Sequence, residues 1–274
     1  MVPKGKLIAI GGAETKNAET PEKLEVLRQI LHEMKNKETV IEIIPTASQI
    51  PTRIGKEYVE AFRHLGCKSA NVMMIRGRND VSRREFIQRI KDADGIMLSG
   101  GDQTKLTAAL FGSEILEILK HRYLNEPEFV IAGTSAGAMA QSGKMINGGT
   151  PIEAVKRGKA MVMEGLGFIN NAIIDSHFIN RGRFGRLMLA VAEYPQLTGI
   201  GISEDTGVII TEERYLDVIG SSQVILIEGS EIGYNSLHEK NSASLNIERM
   251  CFHLLSRGMR YDMVENKFVV KELA

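Results

Sequence analysis

Short apolar runs alternate with longer amphipathic segments over the first half of the chain. The runs are apolar at nearly every position, as in strands buried on both faces, and they predict strands at 6–10, 39–44, 71–75, 95–99 and 129–132. Between them, apolar residues three and four apart predict helices at about 20–31, 53–64, 81–90 and 103–119. This alternation predicts an α/β fold, with a mainly parallel sheet covered by helices on both faces.

The pattern changes after residue 140. Short strands at 172–175 and 199–202 flank a helix at about 183–193, and a last helix is expected at about 246–256. Three closely spaced strands, at 207–211, 215–219 and 224–228, predict antiparallel additions to the sheet edge. No internal repeat or linker interrupts the chain, so residues 1–274 are expected to form one domain.

Composition narrows the possible classes of protein. The net charge of zero argues against nucleic acid or an anionic membrane as partner. Cys67 and Cys251 have no metal-ligand spacing and are expected to be reduced thiols. The start of the chain lacks an apolar leader, and no run is long enough to cross a membrane. We therefore expect a cytoplasmic protein that needs neither metal nor cofactor.

The fifth predicted strand runs into a Gly-x-Ser-x-Gly turn with Ser135 at its centre. A strand, a sharp turn and a helix would expose the Ser135 hydroxyl as a nucleophile, with the N–H of Ala136 facing the developing oxyanion. The alternative is that Ser135 only caps the helix. A second oxyanion donor is expected from Gly101, which follows the fourth strand. The pair Gly11-Gly12 is an incomplete phosphate loop and favours a close backbone approach beneath a site.

A serine nucleophile needs a base, usually a histidine oriented by a third group. Of the six histidines, His177 is the one that follows a predicted strand, so it should emerge at the edge that carries Ser135. Glu204 and Asp205 both follow the strand at 199–202, and spacing does not decide between them. The order serine, histidine, acid differs from that of α/β-hydrolases, which argues against an ordinary lipase or esterase.

Three cations lie just past His177, where a helix is predicted to begin: Arg181, Arg183 and Arg186. Cations are unfavourable at a helix start, and a bound carboxylate would offset this cost. The alternative is a solvated basic turn paired with Asp175 or Glu193. Asp175 is also a candidate for holding a cationic group of the substrate, and Gln103 is a candidate for bonding a substrate main chain.

Four motifs occur together over nearly the whole chain: Gly-Thr-Ser-Ala-Gly-Ala around Ser135, Ser-Gly-Gly-Asp-Gln at 99–103, His-Phe followed by Arg-Gly-Arg-x-Gly-Arg from 177, and Ile-Ser-Glu-Asp-Thr at 202–206. In this combination the sequence resembles the serine peptidase family of the cyanophycinases, which also includes dipeptidase E. The resemblance implies a three-layer α/β/α sandwich like that of class I glutamine amidotransferases, and a homodimer. It further implies that Ser135, His177 and Glu204 form a triad, and it supports the candidate substrate contacts Gln103, Asp175, Arg181, Arg183 and Arg186.

The substrate implied by this resemblance is cyanophycin, a poly-aspartate backbone that carries arginine on its β-carboxyl groups. The family hydrolyses that backbone to β-Asp-Arg dipeptides. One position departs from the cyanobacterial pattern, because Ser176 replaces a glutamine before the histidine. Loss of the glutamine amide is expected to weaken the fit of the polymer or to alter side-chain preference, while leaving catalysis intact. Two alternatives are an aspartyl dipeptidase acting on short Asp-X peptides and a non-enzymatic ligand-binding member of the fold.

Overall fold

A computed structural model describes residues 1–17, 20–34, 38–148, 161–239 and 245–269. Its strands are β1 (Lys6–Ile10), β2 (Val40–Ile44), β3 (Ser69–Val72), β4 (Gly95–Leu98), β5 (Val130–Thr134), β6 (Lys144–Ile146), β7 (Val162–Glu164), β8 (Ala172–Asp175), β9 (Thr198–Ile202), β10 (Thr206–Thr211), β11 (Tyr215–Gly220), β12 (Val224–Glu228), β13 (Cys251–Leu255), β14 (Arg260–Asp262) and β15 (Lys267–Val269). Its α-helices are α1 (Glu25–Met34), α2 (Pro51–His64), α3 (Arg84–Asp92), α4 (Gln103–Leu110), α5 (Glu114–Asn125), α6 (Ala136–Met139) and α7 (Phe184–Glu193), and a 3₁₀ turn, Pro21–Leu24, leads into α1.

The larger sheet has nine strands in the order β15-β14-β11-β10-β1-β5-β4-β2-β3. The strands from β1 to β3 in this order are all parallel, and β10, β11, β14 and β15 continue the sheet in antiparallel fashion beyond β1. Apolar side chains of α1 and α2 pack on one face, and those of α3, α4 and α5 pack on the other. This arrangement confirms the predicted three-layer α/β/α fold.

A second sheet, with the order β13-β12-β9-β8, was not predicted. Strand β12 was expected at the edge of the main sheet but pairs with β9 and β13 instead. Within this sheet β8 and β9 are parallel, and α7 packs against them. The chain passes from β9 to β10, and so between the sheets, through Ser203, Glu204 and Asp205, where Asp205 has a φ of 49°. The second sheet therefore carries the segments that follow β8 and β9 toward the main sheet.

Two predicted helices differ from the structure. The prediction of a helix at 246–256 is wrong, because Cys251–Leu255 is strand β13, whose backbone forms hydrogen bonds with β12. Its exposed Phe252 and Leu254 alternate with less exposed neighbours, which is a strand period that five residues reveal poorly. The helix expected at 103–119 is two helices, and the Ser113 hydroxyl caps the second by accepting from the N–H of Leu116 at 3.2 Å. None of the helices among the described residues is long and apolar enough to span a membrane.

Candidate active site

Ser135 occupies a sharp turn between β5 and α6. Its backbone has φ 51° and ψ −111°, a conformation that residues other than glycine rarely adopt. Gly137 permits the turn, since a Cβ there would overlap the Leu98 carbonyl. The Ser135 side chain makes no capping hydrogen bond to the helix. The strand–turn–helix geometry therefore presents the hydroxyl away from the backbone, as in a nucleophile elbow.

His177 and Glu204 extend a chain of hydrogen bonds from this hydroxyl. Ser135 Oγ lies 2.9 Å from His177 Nε2, and His177 Nδ1 lies 2.6 Å from Glu204 Oε1. Asp205, the other acid that spacing left open, instead accepts from the hydroxyl of Ser221 at 2.8 Å. The structure thus brings Ser135, His177 and Glu204 together and directs Asp205 elsewhere.

The Gly11-Gly12 loop lies directly beneath His177. The N–H of His177 donates to the carbonyl of Gly11 at 2.7 Å. Gly12 has a φ of 102°, and a Cβ at this position would lie 2.4 Å from both Cε1 and Nε2 of the His177 ring. This is the close backbone approach that the sequence favours over a phosphate loop. Glycine is required here because the imidazole occupies the space of a side chain.

The surroundings of His177 favour its neutral form. Burial lowers the pKa of His177 below its ordinary value, and the charges of Arg181 and Arg183 lower that pKa further. The hydrogen bond and the charge of Glu204 act in the opposite direction. The imidazole is therefore able to accept a proton at neutral pH while Glu204 stabilises the cation that results.

Two backbone N–H groups near Ser135 have the freedom to bind an oxyanion. Gly100 packs closely against Ser135, and the neighbouring Gly101 has a φ of 140°. Ala136 is the first residue of α6. Within the described residues, neither the N–H of Gly101 nor that of Ala136 donates to a protein acceptor. Binding of an oxyanion by these two N–H groups stays a prediction.

Asp175 is at the centre of a buried cluster rather than at an open surface. It is 0% exposed and accepts from Arg186 through both carboxylate oxygens, with Nε at 2.6 Å from Oδ2. Arg183 Nη1 lies 3.3 Å from the same carboxylate. Asp175 and Arg186 are both buried and pair with each other, and direct contact of either side chain with substrate stays a prediction. The proposed pairing of the arginines with Asp175 is present, but the cluster is not a solvated turn.

The remaining candidate contacts differ in accessibility. Arg181 is exposed, whereas Arg183 is partly buried and donates to the carbonyl of Ser176 at 2.7 Å. Burial lowers the pKa of Arg183 to about 10, which leaves the guanidinium charged at neutral pH. The Ser176 hydroxyl is fully buried and points to the sulfur of Met139. Gln103 is partly exposed, and its amide donates to the carbonyl of Ile146 at 3.0 Å.

One residue that positions this site was missed by the sequence interpretation. The side-chain carbonyl of Asn180 accepts from the N–H of Glu204 at 3.2 Å. Asn180 adjoins Arg181 in the chain, and no local pattern indicates a partner 24 residues away. No group of three or more His, Cys, Asp or Glu side chains suited to a metal ion occurs in the described part of the chain.

Comparison with solved structures places this architecture in a class. The chain has a class I glutamine amidotransferase-like fold, which it shares with a peptidase from an acI-B1 Actinobacterium. The TM-score of that pair is 0.71 at 21% identity, and the match covers 95% of this chain and 98% of the other.

The sequence then identifies the family. The model of peptidase family S51 matches residues 7–218, and the chain belongs to this family of peptidases. It is 33% identical over 261 residues to a cyanophycinase of Geminocystis herdmanii (strain PCC 6308), which covers 94% of each chain. A cyanophycinase of Trichormus variabilis is 33% identical over 263 residues, covering 96% of this chain and 87% of the relative.

Proposed function

We propose that this peptidase is a serine-type exopeptidase that hydrolyses the poly-aspartate backbone of cyanophycin to β-Asp-Arg dipeptides. The observation that carries the proposal is the hydrogen-bonded chain from Ser135 through His177 to Glu204, built on a strained turn. The polymer substrate is suggested by the relatives named cyanophycinase. Ser135, His177 and Glu204 would act as the catalytic triad.

The reaction would proceed through an acyl-enzyme. His177 Nε2 takes the proton of Ser135 as Oγ attacks the backbone carbonyl, and Glu204 stabilises the imidazolium. The N–H groups of Gly101 and Ala136 bind the oxyanion, each contributing about 3 kcal/mol in the transition state. His177 then gives its proton to the leaving amine. In the second half, His177 activates a water molecule that attacks the acyl carbonyl and releases Ser135.

Binding of the substrate would use Arg181, which is exposed, and Arg183, which is partly buried. Arg181 and Arg183 offer guanidinium groups to carboxylates of the substrate, and burial of Arg183 strengthens such a contact because less water competes. Asp175 pairs with Arg186 and also accepts from Arg183, so it holds that guanidinium in position. Gln103 keeps its amide oxygen for a substrate N–H while its nitrogen bonds to the protein.

Ser176 supports a second candidate, an aspartyl dipeptidase acting on short Asp-X peptides. A serine that is buried against Met139 offers no amide to an extended polymer. The hydrogen bonds from Ser135 to His177 and from His177 to Glu204 argue against a non-enzymatic role.

The decisive experiment compares cyanophycin granules with Asp-X dipeptides as substrates and identifies the products by mass spectrometry. Release of β-Asp-Arg from the polymer supports the proposal, and turnover of dipeptides alone supports the second candidate. Ser135→Ala is the control, and it should abolish turnover while the protein still folds and binds the polymer. Full activity of Ser135→Ala would refute the mechanism.

Three further expectations stay predictions. These are the single domain, the cytoplasmic location and the homodimer. Light scattering of the purified protein would test the homodimer directly.

A further inference from the structure

Glu14 is a buried carboxylate on the loop that runs beneath His177. Only 3% of its surface is exposed, and three side chains donate to it. The Tyr58 hydroxyl and the Lys16 ammonium, at 3.1 Å, bond to Oε1, while the Thr134 hydroxyl bonds to Oε2 at 2.7 Å. Such a group is costly to bury and is retained only where its partners satisfy it.

The loop that carries Glu14 contacts each of the three segments that supply the proposed triad. The Gly11 carbonyl accepts from the N–H of His177 at 2.7 Å, and the Gly12 carbonyl accepts from the N–H of Asp205 at 2.9 Å, next to Glu204. The third connection is made by Glu14 itself, because Thr134 immediately precedes Ser135. One short loop therefore sets the position of nucleophile, base and acid relative to one another.

Glu14 also anchors the part of this loop that follows Gly11 and Gly12. Through Tyr58 it is joined to α2, and through Thr134 to the end of β5. The Ser135 turn has an unfavourable φ of 51°, so neighbouring contacts are needed to hold it. The hydrogen bond from Thr134 to Glu14 is one of these contacts, and the amide of a glutamine offers a single oxygen where the carboxylate offers two.

We propose that Glu14 is a positioning residue for the nucleophile, acting through Thr134 on Ser135. The inference rests on the proposed function, since it takes Ser135 to be the reacting group. It goes beyond that function by assigning a role to a carboxylate outside the triad, whose hydrogen bonds are to Lys16, Tyr58 and Thr134.

The test uses Glu14→Gln and Thr134→Val in the full chain, with kcat and KM on cyanophycin and the rate at which a fluorophosphonate probe labels Ser135. Because a displacement of the order of 1 Å costs up to about 100-fold in rate, we expect each variant to lower kcat and the labelling rate by about 10- to 100-fold, with KM changed less than about threefold. The fold-loss of kcat in the double variant should be smaller than the product of the two single losses, because both changes break the same hydrogen bond.

Glu42→Gln is the matched control. Glu42, on β2, is as buried as Glu14, and its hydrogen bonds to Arg89 on α3 and Asn71 on β3 involve none of the triad segments. It should lower the melting temperature and leave kcat and labelling unchanged.

Wild-type activity and labelling in Glu14→Gln or Thr134→Val would overturn the inference, as would an equal loss of kcat in Glu42→Gln. If Glu14→Gln does not fold, Thr134→Val decides alone. A wild-type protein that neither labels nor turns over would instead overturn the proposed function, so the two failures are distinguishable.

Discussion

Gly12→Ala is the substitution for which the structure gives the sharpest expectation. The new Cβ would lie 2.4 Å from Cε1 and Nε2 of His177, where ordinary contact begins at 3.4 Å. The ring must therefore move by about 1 Å, since the Gly12 backbone is held by its bond to Asp205. Such a shift stretches the 2.9 Å contact between His177 and Ser135 beyond hydrogen-bonding distance. A misplacement of this size costs about 100-fold in rate.

The matched control is Gly66→Ala. Gly66 has a φ of 85° but nothing within 4 Å of the position of a Cβ, whereas Gly12 has a φ of 102°. Both variants should lose about 1–3 kcal/mol of stability from backbone strain. Only Gly12→Ala should lose activity, measured as kcat on cyanophycin and as labelling of Ser135 by a fluorophosphonate. Equal activity of the two folded variants would refute the reasoning that the Gly12 backbone sets the position of the imidazole.

The remaining predictions concern charge around the site. Glu204→Gln should lower kcat by about 10³- to 10⁴-fold, because His177 loses the anion that orients it, and a loss below tenfold in steady-state assays would contradict the triad. Arg181→Gln should raise the pKa of His177, since the cation lowers it now; activity requires neutral imidazole, so the acid limb of kcat/KM should move to higher pH. An unchanged limb in the pH profile would show that this charge does not act on the base. Arg183→Ala should raise KM for the polymer far more than Ser176→Gln does, and similar KM values for the two variants would argue against carboxylate binding by that arginine.

Much of the first half of the fold was predictable from sequence because its strands are buried on both faces. Strands β1, β2, β4 and β5 are apolar at nearly every position, so the pattern identifies each of them with boundaries close to those observed. The second sheet was not predictable in this way. The pairing of β12 with β9 rather than with β11 depends on where the chain turns after β9, and short apolar strands suit either sheet equally.

The candidate site also has a part that the sequence predicted and a part that it did not. Ser135 and His177 were found because each follows a predicted strand, and strand ends of an α/β fold meet at one edge. The arginine cluster was recognised, with Asp175 as one of two alternative partners, but the burial of that pairing was not. Burial of Asp175 between Arg183 and Arg186 is a property of the packed structure that the order of residues does not reveal.

The sequence alone predicted the alternation of elements, the turn that carries Ser135 and the presence of His177 at the same edge. These features could be predicted because local conformation and burial pattern depend on neighbours in the chain. Spacing left Glu204 and Asp205 open, and although the resemblance implied Glu204, only the tertiary structure shows its contact with the imidazole, the place of Gly12 against the His177 ring and the burial of Asp175 against Arg186. These outcomes depend on the directions of side chains brought together from distant segments. A positive φ at Asp205 turns the chain so that two adjacent acids face different partners, and no spacing encodes that turn.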